Sequence, residues 1–398
     1  MKQKIMFIYT FKHWKNECKD NLLKMINNLI YFDNNATTKV DKEVIETILP
    51  FFDQNYGNAA SKLHAHGWTA QAAVEKATAQ IASLINCEPA ELIFTSGATE
   101  SVNLALKGIY EAYATKGNHI ITCKTEHKAV LDTCLYLETK GAKITYLNVD
   151  KEGLIDVDEL KANIQPSTIL VSIMAANNET GVIQPLEKIA EICNQKNILF
   201  FSDATQFVGK ERCDVTELGV HCMAFSAHKM YGPKGVGALY IRRKDPRVNL
   251  IEQINGGGHQ NAKRSGTLNV PLIAGFGKAS EIFKQDFWEM GTHISKLKNY
   301  FEHQLLDIEG LRINGSTRHR VYNTSNLTFP KDKKITGLLN KFAFSSGSAC
   351  ASANPEPSHV LKAMGMNDDE IKNSFRFSFG KNNTLDEVKL LVEEIMKL

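Results

Sequence analysis

TILVSIMAANNETGVIQPLEKIAEICNQKNILFFSD, residues 168–203, carries the pattern that decides the fold. Thr168–Met174 and Ile198–Asp203 are apolar, β-branched runs of strand length. Between them, Leu186–Gln195 has apolar residues at helical spacing, and Pro185 precedes its first turn, where a missing N–H is tolerated. Strand, helix and strand in that order make a βαβ unit, whose two strands run parallel through a right-handed crossover.

The same alternation extends in both directions. Glu91–Ser96 (ELIFTS), His119–Cys123 (HIITC), Ile144–Val149 (ITYLNV) and Cys222–Ser226 (CMAFS) read as further buried strands. Ser101–Tyr113 and Asp156–Asn163 read as helices, the second with an acidic start that suits the helix dipole. The expected fold is therefore α/β, a mostly parallel sheet flanked by helices from about residue 90 to 245. The pattern then changes. Gly256-Gly257-Gly258 leads into helical sequence around Ile273–Leu306, followed by alternating strands at Ser325–Phe329 and Phe375–Phe379 and a helix from near Leu385. That reads as a smaller α+β domain. The expected division is an N-terminal extension at 1–29, an N-terminal segment at 30–45, a large domain at 46–280 and a small domain at 281–398.

Composition narrows the function classes. The 398 residues are 43% hydrophobic and 23% charged, with a formal net charge of +3. Neither a Lys/Arg block nor aromatic-basic interleaving points to nucleic acid. No apolar run approaches the roughly 20 residues that cross a bilayer. Lys2 and Lys4 precede apolar Ile5–Phe11, but Lys12 and Lys15 follow and no small-x-small cleavage site appears, so a cytoplasmic chain is expected rather than a secreted one. The eight cysteines form no CxxC pair, which signals neither zinc nor a thioredoxin-like motif. All but Cys350 sit in or beside ordinary helix or strand patterns and are expected as small buried hydrophobes in a reducing cytosol.

Open α/β sheets bind ligands at the carboxyl ends of their strands, and unusual residues gather there. After ELIFTS comes Ser96-Gly97-Ala98-Thr99-Glu100, a small-residue turn into a helix. Its N–H groups and Thr99 hydroxyl suit a phosphate, or the turn is an ordinary one with a Ser/Thr cap. Asp203 ends its strand, placed to hold a protonated pyridine nitrogen, with Gln206 within reach of the ring's phenolic oxygen; a helix cap is the plainer reading. Lys229 follows CMAFS and precedes Met230-Tyr231-Gly232-Pro233. An amine there can form a Schiff base with an aldehyde cofactor, flanked by Ser226 and His228 for the phosphate, although a lone lysine is usually a solvated surface residue. Cradle, pyridinium partner and imine-forming amine together are the protein groups that pyridoxal 5'-phosphate (PLP) requires.

Four more residues complete the candidate site. His127 follows HIITC, where an imidazole can stack on the ring or move a proton. Asn178 follows TILVSIM and can bond the ring oxygen or a substrate carboxylate, or merely form a turn. Arg376 lies in the alternating strand of the small domain, where its guanidinium suits an α-carboxylate or a cross-sheet ion pair. Cys350 sits in SSGSACASANP (345–355), where nearly every residue is small. Such a stretch reads as a mobile, exposed loop that lets a nucleophilic thiol move, or simply tolerates a surface cysteine.

The strings YFDNNATT (31–38), TSGATES (95–101), KTEHKAVLDT (124–133), ANNETGV (176–182), DATQ (203–206), SAHKMYGPKGVG (226–237), GGGH (256–259), RSGT (264–267) and SSGSACAS (345–352) closely resemble cysteine desulfurases of the NifS/IscS group, over about residues 30–395. The resemblance implies a PLP-dependent transferase of fold type I, class V, working as a homodimer. It implies that Lys229 holds PLP, Asp203 pairs with the pyridinium, His127 stacks on the ring, and Gln206 and Asn178 contact the ring and its oxygen. Ala98, Thr99, Ser226 and His228 would bind the phosphate, joined by Thr267 of a second subunit. Arg376 and Asn178 would hold the carboxylate of L-cysteine. Cys350 would take its sulfur as a persulfide and pass it to an iron–sulfur scaffold or another sulfur-acceptor protein. No resident metal is implied, although Cys350 could serve as a transient iron–sulfur ligand. Ala227 stands where many members have glycine, Pro330–Lys334 is short and the lead before Ile30 is atypical; scaffold docking without the C-terminal extension that some members use is the expectation. The full-length SSGSAC loop separates this group from the branch with a shorter cysteine loop.

Overall fold

Phe200 and Phe201 are neighbours in sequence and both fully buried. Alternate residues of a strand point to opposite faces, and each face of the central sheet carries its own apolar core, one taking Phe200 and the other Phe201. The computed structural model describes residues 29–346 and 357–398. Cys18, Cys350 and the expected extension up to residue 28 lie outside the described residues.

The strands, in chain order, are β1 (Ile30–Tyr31), β2 (Leu92–Thr95), β3 (His119–Cys123), β4 (Lys143–Leu147), β5 (Thr168–Ser172), β6 (Leu199–Asp203), β7 (Cys222–Ser226), β8 (Gly237–Ile241), β9 (Arg312–Ile313), β10 (Thr324–Thr328), β11 (Phe342–Ala343), β12 (Ser345–Ser346) and β13 (Ser374–Ser378). The central sheet has seven strands in the order β2-β8-β7-β6-β5-β3-β4. Every pairing is parallel except those of β8, which runs antiparallel to both β2 and β7. β8 (GALYI) is the strand that the sequence reading omitted. It returns directly from the turn holding Lys229, without a crossover helix, so its direction must reverse.

Helices Ala98–Ala112 and Lys128–Glu138 cover one face of the sheet, through Val102, Leu106, Val130 and Cys134. Helices Ala65–Ile85, Leu186–Gln195 and Val270–Leu305 cover the other, through Ile81, Ile189 and Phe276. The last is a single helix of 36 residues that starts at an Asn269 cap, with Pro271 in its first turn, and runs through residue 280. Gly277 lets it approach Ala65–Ile85 closely, since a Cβ there would lie 2.5 Å from the Ala77 Cα.

The second sheet, β12-β13-β10-β9, is antiparallel. The N-terminal segment joins it. β1 pairs with β11, and Asp33 bridges to Ser378 beyond the end of β1. The polar run Asp33–Thr38 is thereby laid between the two sheets. Cys123, Cys134, Cys193, Cys213 and Cys222 are buried and Cys87 is half-buried, none in a disulfide. Among the described residues, no helix is long and apolar enough to cross a membrane.

Candidate active site

The carboxyl ends of β2, β3, β5, β6 and β7 open on one cavity of about 500 Å³. It brings together Ala98, Thr99, His127, Asn178, Asp203, Gln206, Ser226, His228, Lys229 and Arg376, all expected from the sequence. Thr267 is exposed and does not line it. Cys350 lies outside the described residues.

Each residue has a local reason for its place. Gly97 precedes the helix Ala98–Ala112 and caps it with no side chain, so the Ser/Thr cap of the plainer reading is absent. Glu100 instead reaches back to accept from the Ser96 N–H (2.8 Å) and pairs with Arg264 (2.8 Å). His127 caps the helix Lys128–Glu138, its Nδ1 accepting from the Ala129 N–H at 3.1 Å. That bond leaves the proton of the neutral ring on Nε2. In the Asn-Asn pair the turn is made by Asn177, whose Oδ1 accepts from the N–H groups of Glu179 (2.9 Å) and Thr180 (3.0 Å). Asn178 is left to line the cavity. Asp203 accepts from the Thr205 N–H at 3.0 Å and starts no helix.

Lys229 donates from Nζ to the main-chain carbonyls of Asn35 (2.6 Å) and Ala36 (2.7 Å), both on the cavity wall. His228 shares a hydrogen between Nδ1 and the Thr37 Oγ1 at 3.1 Å. Burial, then Lys229 and Lys234, lowers the His228 pKa to about 4, which leaves the ring neutral near pH 7. Arg376 is buried. Its Nη2 donates to Asp33 (2.6 Å) and Ser345 Oγ (2.9 Å), and its Nη1 to the Asn178 carbonyl (2.9 Å). Its Nε has no partner among the described residues. The cross-sheet ion pair and the cavity position thus coexist in one side chain.

The described residues that flank 347–356 bond groups on or next to the cavity wall. On one side Ser345 bonds Arg376 and Asp33. On the other, Ser358 donates to Glu179 (2.5 Å), and His359 Nε2 donates to the carbonyl of Glu126 (2.9 Å), next to His127.

Residues 30–391 match the aminotransferase class-V family model. The chain belongs to that family. A cysteine desulfurase IscS of Neisseria meningitidis is 50% identical over 368 residues, covering 92% of this chain and 91% of the relative. Among solved structures, a NifS-like protein superposes with a TM-score of 0.86 at 38% identity, covering 93% of this chain and 98% of the other. SspA in complex with cysteine superposes with a TM-score of 0.81 at 34% identity, covering 89% and 100%.

In this class-V chain, four residues on or behind the cavity wall carried no functional reading from sequence: Asp33, Asn35, Thr205 and Lys210. Asp33 and Asn35 reach the site through long-range pairing, and no local period marks them. The available signal was the polar run Asp33–Thr38 following a strand. Such a run must either face water or satisfy buried partners.

Proposed function

We propose that the protein is a cysteine desulfurase that binds PLP on Lys229, removes sulfur from L-cysteine as a persulfide on Cys350, and releases L-alanine. The observation that carries this is the convergence of an amine, a carboxylate and a helix start without a side-chain cap on one cavity, with Ser345, Ser358 and His359, on either side of 347–356, hydrogen-bonded to Arg376, Glu179 and Glu126. The resemblance to desulfurases, and the cysteine complex of a structural neighbour, support the substrate.

The donor set fits PLP. Thr205 has a buried hydroxyl with no partner among the described residues, on the cavity wall beside Asp203. In the turn at Gly97 the Ser96 and Gly97 N–H groups are held by Glu100 and Thr95, but no side chain caps the helix that starts at Ala98, and an added Cβ at Gly97 would meet only Ser226 Oγ, at 3.9 Å. Ala98, Thr99, Ser226 and His228 would hold the phosphate, with Thr267 of a second subunit; Asp203 would pair with the ring nitrogen; His127 would stack on the ring; Gln206 and Asn178 would meet the ring and its oxygen. Bound there, PLP supplies an electron sink for the substrate's α-carbon.

The chain's own residues do the rest. Arg376, fixed by Asp33, Ser345 and Asn178, binds the substrate carboxylate with its remaining donor capacity. The Lys229 amine moves the α-proton. The Cys350 thiolate bonds to the substrate sulfur as the Cβ–S bond breaks, and protonation completes L-alanine. The Cys350 persulfide is then passed to an acceptor thiol, of an iron–sulfur scaffold or another carrier. A homodimer is part of this reading, because Thr267 is exposed in its own chain. A cytoplasmic setting is supported by the buried, unpaired thiols.

The test is turnover of L-cysteine with a reductant, following sulfide and alanine together. Wild type gives equal amounts of both and Cys350→Ala gives neither. Alanine from Cys350→Ala would remove Cys350 from the reaction and make the protein a lyase that bypasses it.

A further inference from the structure

Lys210 is buried, yet among the described residues no carboxylate forms an ion pair with it. It lies behind the cavity rather than on its wall. Its Nζ donates to Asn35 Oδ1 (3.1 Å) and to Gln206 Oε1. Gln206 Nε2 in turn donates to the Asn35 main-chain carbonyl (2.9 Å), which closes a ring of three residues. That same carbonyl accepts from Lys229 Nζ at 2.6 Å. A carbonyl oxygen has two lone pairs, and here Gln206 and Lys229 use both.

A buried ammonium with only amide acceptors is costly. A neutral amine has two N–H donors, and two acceptors are present. Burial, then the cations of Lys229 and Arg376, holds the Lys210 amine well below the ordinary lysine range. Glu211 opposes them. Tyr231 and Tyr322 line the small void that Lys210 shares with Lys229. No step of the proposed desulfuration uses this second amine.

We propose that Lys210 is a positioning residue for the cofactor lysine: it locks Asn35 and Gln206 into a brace, and the brace fixes the carbonyl on which the Lys229 amine rests. The proposal rests on the reading of Lys229 as the Schiff-base residue. Its consequence is specific. Loosening the brace changes the proton affinity and reactivity of the Lys229 nitrogen before it changes the fold, because Lys→Met keeps the apolar stem and removes only the donor.

The experiment uses the full chain, stripped of cofactor and reloaded with PLP, as wild type, Lys210→Met and Lys210→Gln. Three quantities are read: the pH midpoint of the visible imine band, the rate at which that band forms, and the Tm of the cofactor-free protein. In Lys210→Met the midpoint moves by about one pH unit and imine formation slows about tenfold, while Tm stays level or rises. Lys210→Gln, which keeps an amide donor, lies between. A folded Lys210→Met with midpoint and rate within about twofold of wild type overturns the proposal. So does failure of both variants to fold, which would assign Lys210 to the fold alone. A wild type that never develops a visible band fails differently, since it removes PLP from Lys229.

Discussion

Arg376 Nη2 and Asp33 Oδ1 lie 2.6 Å apart although 343 residues separate them in the chain. The pair ties the N-terminal segment to the small sheet, and it fixes one edge of the guanidinium that lines the cavity. Removing the charge of Asp33 leaves Arg376 with neutral acceptors only, Ser345 Oγ and the Asn178 carbonyl among them. Hydrogen bonds to charged groups contribute roughly 1.5–3 kcal/mol. Asp33→Asn should therefore lower kcat/KM for L-cysteine by about tenfold or more, mainly through KM. Steady-state kinetics check it. A KM at or below wild type would mean that Asp33 competes with the substrate carboxylate instead of aiming the arginine.

His221 gives a pH prediction away from the site. It is buried; Nδ1 accepts from the Phe200 N–H at 2.9 Å, and Nε2 has no partner among the described residues. Burial, then Arg242, lowers its pKa from 6.5 to about 4. Between those values the unfolded chain binds a proton that the folded chain refuses. The stability that His221 confers is thus whole above pH 6.5 and is lost as pH falls toward 4. A shift of this size is worth up to roughly 3 kcal/mol. In urea unfolding, His221→Gln should show a shallower loss of stability than wild type across that window, and equal slopes would mean that the ring is protonated when folded.

Why much of this was legible is physical. Strands buried on both faces must be apolar throughout, so HIITC and CMAFS stand out. The ligand residues follow such strands immediately, so Asp203 and Lys229 are found with them. Other features leave no local trace. Helix Ala65–Ile85 buries mainly small residues, Ala70, Ala77 and Ala82 among them, and its stripe is weak. β8 sits inside a glycine-rich stretch, with Gly232, Gly235 and Gly237 in or just before it. Asp33, Asn35 and Lys210 owe their place to contacts across 171 to 343 residues, which no window along the chain contains.

Glu126 precedes His127 and is fully buried. One oxygen accepts from the Met174 N–H and the Cys123 thiol; the other has no partner among the described residues. Burial, then the charge of Asp203, raises its pKa well above 4.5. The folded chain therefore keeps a proton that the unfolded chain gives up above pH 4.5, and stability falls as pH rises through that window. Glu126→Gln is neutral and of the same shape. Its Tm should exceed wild type at pH 8 and match it at pH 4. A lower Tm at pH 8 would mean that the folded carboxyl is ionised and held by a partner.

Gly237 decides how closely the phosphate turn approaches the lysine strand. It sits in register between Thr95 of β2 and Ser226 of β7, the ends of the two strands that lead into the turn and into Lys229. A Cβ at Gly237 would lie 2.7 Å from the Gly97 Cα and 2.8 Å from the Phe225 carbonyl oxygen. Backbone must then move, and overpacking of this kind costs about 1–3 kcal/mol. The displaced atoms belong to the turn whose N–H groups would hold the phosphate. Gly237→Ala should therefore weaken PLP binding by about tenfold or more in a titration of cofactor-free protein, beyond any loss of Tm. A lower Tm with unchanged PLP affinity would mean that the strain is relieved elsewhere in β8 and that the turn at residues 96–99 is not where the phosphate is held.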